Sequence, residues 1–369
     1  MNRLFRWDQM GLFLLALAAG ILPFAVPEVC AAALREGLTL CSGPLLLSLF
    51  PFLVVSRLLI QCPESDLLAM PFRLAAWGIG IRTPCAARVL CIGFLGGFAP
   101  AASAAAQAVR TGQLTAEEAD ALLPACICSG PSFVVLTVGQ SLLGSAELGV
   151  LLFASQITAN YLTAALLNRF AGVRSVKPGS AAPASPAPPR LDEILADAAI
   201  TYCKLCGFIL FFRMLAAGAG ALLPAGAGTL CAILLEVCSG CDLASRTGRW
   251  GSLLCCAALS AQGLSVLLQV RTICPPEMTL RPLYRSRLLH LPLSLALFYL
   301  LLPGGEADVF STLPARVLLM RRVPPDCALL VFAVCCMAAC TLRSGIRQVE
   351  QKQMARNAGG CCINSKTLL

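Results

Sequence analysis

Glu236 follows Ala232, Ile233, Leu234 and Leu235 inside the apolar run 229–245 and precedes the stretch Cys238, Ser239, Gly240, Cys241, Asp242. A carboxylate at the centre of a membrane span costs about 2.5–3.5 kcal/mol. Its charge must be offset by a cation, a proton or a polar ligand. The bland alternative is an interfacial Glu236 near lipid headgroups. Asp242 either shares the site or lies at the surface. More polar residues stand near Gly- or Pro-marked breaks in apolar runs. The breaks fall at 96–100, 129–132, 238–242 and 262–265. At membrane depth, a break leaves N–H and C=O groups without partners, and it persists where protein or a water-lined cavity satisfies them. The half-helix ends carry partial charges that hold ions or polar solutes. The candidate binding set is therefore Ser103, Ser129, Gly130, Ser132, Glu236, Ser239, Asp242, Gln262, Ser265 and Gln269, for an unspecified small solute or ion. Against it stands ordinary packing: Gly and Pro kink membrane helices, and single Ser or Gln residues bond neighbouring helices.

Catalytic patterns are missing. The chain has no G-x-S-x-G, H-E-x-x-H, Walker A or G-x-G-x-x-G motif, and its single His is His290. It is not expected to be an enzyme, and no cofactor or metal is expected. Cys203 and Cys206, like Cys238 and Cys241, have metal or redox spacing. They adjoin apolar helix, however, and most of the 21 Cys lie within apolar segments. There free Cys acts as a small packing residue.

These residues need elements to hold them, and composition sets the class. Of 369 residues, 58% are hydrophobic and 13% charged, with a mean hydropathy of +0.79. That excludes a soluble globular enzyme and a disordered chain. Long apolar runs, rather than short alternating segments, make the spanning elements helices. The expected fold is an all-α polytopic membrane protein in contact with the lipid bilayer. Residues 1–37 read as an uncleaved membrane anchor, with a first span at 10–29 that is long for a signal peptide. A second span is expected at 38–60. Residues 171–190, rich in Pro, Ala and Ser, read as a linker. It separates 38–170 from 191–303, and a final span at 327–342 belongs to a C-terminal region, 304–369.

Each half repeats one order: broken hairpin, broken helix, intact helix. With the N terminus inside and each hairpin re-entrant, most of the 28 Lys and Arg fall inside, including Arg57, Arg110, Arg271 and Arg287. Only Arg35, Arg246, Arg249, Arg316, Arg321 and Arg322 fall outside. The linker is then cytoplasmic and the halves are inverted, as in many secondary transporters. The net charge of +9 thus reflects topology, and no nucleic-acid partner is expected.

Six segments, in order, resemble the YlbJ sporulation integral membrane proteins, which carry the nucleoside-recognition Gate domain. They are 48–56 (SLFPFLVVS), 93–106, 111–123 (TGQLTAEEADALL), 129–133 (SGPSF), 235–240 (LEVCSG) and 263–269 (GLSVLLQ). The chain departs from that pattern where the family carries Asn before the first break; here Cys126 and Cys128 stand. The resemblance covers roughly residues 1–303. It implies two inverted Gate-type repeats and a multi-pass protein of a bacterial cell membrane, in the mother cell or forespore. It also implies a role in spore cortex formation, either as a permease-like protein or as a non-transporting scaffold. Sporulation membrane proteins are the partners it implies.

Overall fold

The computed structural model describes residues 7–171 and 191–302. The body of the linker and the expected span at 327–342 lie outside the described residues. Within them every regular element is helical and no strand occurs. Four stretches are long and apolar enough to cross a membrane: Pro27–Leu47, Ala146–Ala171, Leu191–Leu222 and Gly248–Ile273. Large apolar side chains such as Phe24, Leu47, Phe170, Leu288 and Leu300 face outward. Such a surface suits lipid rather than water. The architecture fits an all-α membrane protein.

The chain opens with α1 (Trp7–Ala25), α2 (Pro27–Ser42) and α3 (Pro44–Gln61). Sequence reasoning expected a connection between spans near 30–37. The structure makes that stretch part of α2, because Pro27 and Pro44 restart helices after short breaks and the intervening Ala-rich segment has high helix propensity. After α4 (Phe72–Gly78) come α5 (Pro84–Gly96), α6 (Phe98–Arg110) and α7 (Ala116–Cys126). A capping box starts α7: the Glu118 N–H donates to Thr115 Oγ1 at 3.1 Å, and the Thr115 N–H donates to Glu118 Oε2 at 3.2 Å. Past a non-helical stretch, α7 is followed by a π-helix, Ser132–Leu142, and by α8 (Ala146–Ala171).

The second part contains α9 (Leu191–Leu222), α10 (Ala225–Leu235), α11 (Val237–Ser245), α12 (Gly251–Ala261), α13 (Gly263–Ile273) and α14 (Arg281–Leu301). The element order recurs. A long helix (α3, α9) precedes a helix pair (α5 and α6, α10 and α11). A broken helix (α7 with the π-helix, α12 with α13) and an intact helix (α8, α14) follow.

Each helix pair folds back on itself. A Cβ on Gly93 would lie 3.2 Å from the Cβ of Ala101, and one on Gly240 would lie 2.8 Å from the Cα of Ile233. Residues seven or eight apart along a continuous helix stand about 10–12 Å apart. Neither pair is therefore one straight helix. The α5–α6 turn is packed with small residues: Ala99, Ala101, Ala102, Ala104 and Ala105 are all buried, which lets backbones approach closely.

Two placements differ from the sequence reading. The second hairpin was expected to break at 238–242, but these residues are helical in α11 and the chain breaks at Glu236. A capping side chain, not the low helix propensity of Gly240, sets that boundary. Arg287 was counted among the charges on the inside; it lies buried within α14.

Candidate functional site

In the first half, two breaks cross backbone to backbone. Gly97 links α5 to α6 with φ 80° and ψ −164°, a region that only glycine adopts readily. A Cβ there would sit 2.6 Å from the Gly130 N and 3.2 Å from the Cys128 O. The α7 break thus passes directly over the hairpin tip. Its terminal carbonyl, that of Ile127, faces Asn160 Nδ2 and Arg287 Nη1, each at 3.4 Å. Arg287 Nη2 donates to Asn160 Oδ1 at 3.2 Å. Arg287, 8% exposed, thus places a buried cation at the negative end of α7.

The second half crosses by different chemistry. Glu236, 2% exposed, is the N-cap of α11. The Cys238 N–H donates to its Oε1 at 2.8 Å and the Ser239 N–H to its Oε2 at 2.7 Å. Hydrogen bonds to charged groups contribute about 1.5–3 kcal/mol each, enough to offset the insertion cost of the carboxylate. The compensation comes from backbone N–H groups at a helix N-terminus, where an anion is favoured. The other break lies directly against this one: a Cβ on Gly263 (φ 67°) would lie 3.0 Å from the Glu236 N. Gln262 takes the left-handed conformation at φ 62°, and its Nε2 donates to the Leu259 carbonyl at 2.6 Å.

A cavity of about 60 Å³ lies between the crossings. Gly96, Phe98, Ser129, Gly130 and Ser132 line it from the first half, and Glu236, Val237, Cys238, Val266 and Gln269 from the second. Phe52 of α3 and Ile209 of α9 complete the wall. At roughly 10–15 Å³ per water, it has room for a few waters or one small polar group. Gln269 offers the open valence. Its Nε2 donates to Ser265 Oγ at 2.9 Å, while its Oε1 is buried without a partner.

Of the ten expected residues, Ser129, Gly130, Ser132, Glu236 and Gln269 meet at this cavity. Ser265 supports Gln269 from the next turn. Ser239 and Gln262 lie at the second crossing, each with a buried oxygen lacking a partner. Asp242 pairs instead with Arg246 at 2.9 Å, and Ser103 lines a different cavity.

Sequence reasoning missed the polar seam joining α8, α12 and α14. Gln156 Nε2 donates to Ser260 Oγ at 2.9 Å, and His290 Nε2 lies 3.2 Å from the Gln156 carbonyl. The spacing of Gln156 and Asn160 by four, and of Arg287 and His290 by three, is its only sequence signal. His290 is thus a packing residue of this seam. Among the described residues the cysteines are free, and no group of three His, Cys, Asp or Glu residues is placed to hold a metal.

No protein-family model, curated protein or solved structure matches the chain.

Proposed function

We propose that the chain is a permease-like integral membrane protein of the Gate type, acting in spore formation, with its solute site in the cavity between the crossings. The single observation that carries this reading is that breaks from both halves converge on one cavity. Four isolated kinks in packed helices have no reason to do so. The recurring element order and the two folded-back helix pairs support inverted repeats with re-entrant hairpins. Arg57 and Arg110, both assigned to the inside, line one pocket with Lys204 of α9, in keeping with that topology. Rocking one repeat against the other would open the cavity alternately to each side. The site suits a small solute that accepts no large charge, since both crossings are already compensated by Arg287 and Glu236.

One observation favours the scaffold reading instead. Both Glu236 oxygens are occupied by the α11 cap, so the carboxylate is engaged without any ligand. The two readings part at Gln269. In an endospore-forming host lacking its own copy, Gln269→Leu keeps similar volume and removes the open oxygen. The permease reading expects normal membrane abundance with heat-resistant spore yield reduced at least tenfold. Normal yield at normal abundance contradicts it and favours the scaffold.

A further inference from the structure

The larger cavity, about 160 Å³, lies away from the crossings among α3, α6, α9 and α13. Its lining is polar and mainly cationic: Arg57, Arg110 and Lys204 stand against one carboxylate, Asp197. Arg57 Nη1 donates to Asp197 Oδ2, which leaves Arg110 and Lys204 uncompensated. Two lining atoms are buried without hydrogen-bond partners: Arg57 Nε, and the Oγ of Ser103, a residue 2% exposed. A buried hydroxyl without a partner is costly unless a ligand or water completes it. The sequence builds the walls at helical spacing. Ser103, Ala106 and Arg110 share one face of α6, with the small Ala106 leaving space between the polar pair. Asp197, Thr201 and Lys204 share one face of α9.

We propose that this cavity binds a phosphate group. An oxyanion with several acceptor oxygens matches a set of donors, two guanidinium groups, an ammonium and a hydroxyl, that converge from three helices. The excess of cations over the single carboxylate suits a charge between one and two negative units, as phosphate carries near neutral pH. Helices of both halves contribute, so an occupied site ties α3 and α6 to α9 and α13. The phosphate comes either from the headgroup of an anionic lipid or from a free phosphorylated solute; the recognition chemistry is the same.

Purified full-length protein in dodecyl maltoside, a detergent without phosphate, tests this by thermal unfolding. One arm titrates inorganic phosphate; the other adds phosphatidylglycerol stepwise to the micelles. Stabilisation in the first arm assigns a free phosphate, and stabilisation confined to the second assigns a lipid headgroup. In whichever arm responds, R110Q/K204Q raises the half-saturating concentration at least tenfold, and Ser103→Ala does so several-fold without changing charge. Arg281→Gln with Arg285→Gln removes the same charge from exposed positions on α14 and leaves the response intact. The proposal is overturned by no response in either arm. It is equally overturned if Ser103→Ala is silent, or if the α14 control weakens the response as much as R110Q/K204Q, since either result reduces the effect to general surface charge.

Discussion

The two crossings solve one physical problem in opposite ways. At the first, a pair of glycines lets backbone pass over backbone, and the buried end of α7 is compensated from afar by Asn160 of α8 and Arg287 of α14. At the second, the break compensates itself, with the Glu236 side chain folding onto the two N–H groups that follow. The signs obey the helix dipole: a cation at the C-terminal end of α7, an anion at the N-terminal end of α11. Buried charge at a membrane helix break is thus no sufficient sign of a bound ion, because the helix end itself can be the counter-charge. Of the unpartnered oxygens at the second crossing, the one on a residue that lines the cavity is the uncharged oxygen of Gln269.

Substituting both crossing glycines by alanine gives the sharpest contrast. Gly97→Ala meets the Gly130 backbone in a glycine-only conformation, so strain and overpacking together cost roughly 3–5 kcal/mol. Gly263→Ala meets a looser 3.0 Å contact in the left-handed region, at roughly 1–2 kcal/mol. Unfolding of the detergent-solubilised protein, followed by circular dichroism, ranks the two. Equal losses would dissolve the asymmetry.

Next in size is the cap. Gln at 236 offers one acceptor oxygen where two N–H groups donate, and its amide N–H₂ faces a donor. Glu236→Gln is therefore expected to lower membrane abundance, with a loss of about 1–3 kcal/mol. Glu236→Asp retains a carboxylate at an N-cap and is expected to lose about half as much or less. A Gln variant with full abundance on a blot, alongside a depleted Asp variant, would show that volume rather than charge matters there.

The smallest effect lies outside both crossings, in the loop between α13 and α14. Burial pushes the Cys274 thiol up to about 12, with the Asp120 carboxylate adding to the shift and Arg271 and Arg110 opposing it. The thiol stays protonated at neutral pH and gains thiolate only as the pH climbs towards that value. Alkylation of a variant retaining Cys274 alone is expected to be slow at pH 8 compared with free cysteine in solution. Comparable rates, read by mass spectrometry, would place the loop in solvent.

The helical class and the hairpin break at Gly97 were legible in the sequence, because each rests on local chemistry: hydropathy and glycine clustering. Sequence reasoning placed the second hairpin break too late, since Gly240 drew attention to low helix propensity while the boundary is made by the Glu236 side chain. The compensation of α7 was illegible. Arg287 and Asn160 are separated by 127 residues, and a lone Arg near the start of a span looks like a topological charge until the neighbouring helix is in place. Ser103 was chosen for its nearness to a break, yet the fold turns it to the cationic cavity, because its helical face is shared with Arg110 and not with the hairpin tip.

The central claim is that the cavity between the crossings is a working solute site. A cryo-EM map of the protein in lipid nanodiscs, at a resolution that shows ordered waters, addresses it directly. The account predicts non-protein density in the cavity within hydrogen-bond distance of Gln269 Oε1, with the Glu236 carboxylate still capping α11. A closed cavity, in which the Gln269 oxygen bonds a protein donor and no density stands between Gly130 and Val266, would contradict it.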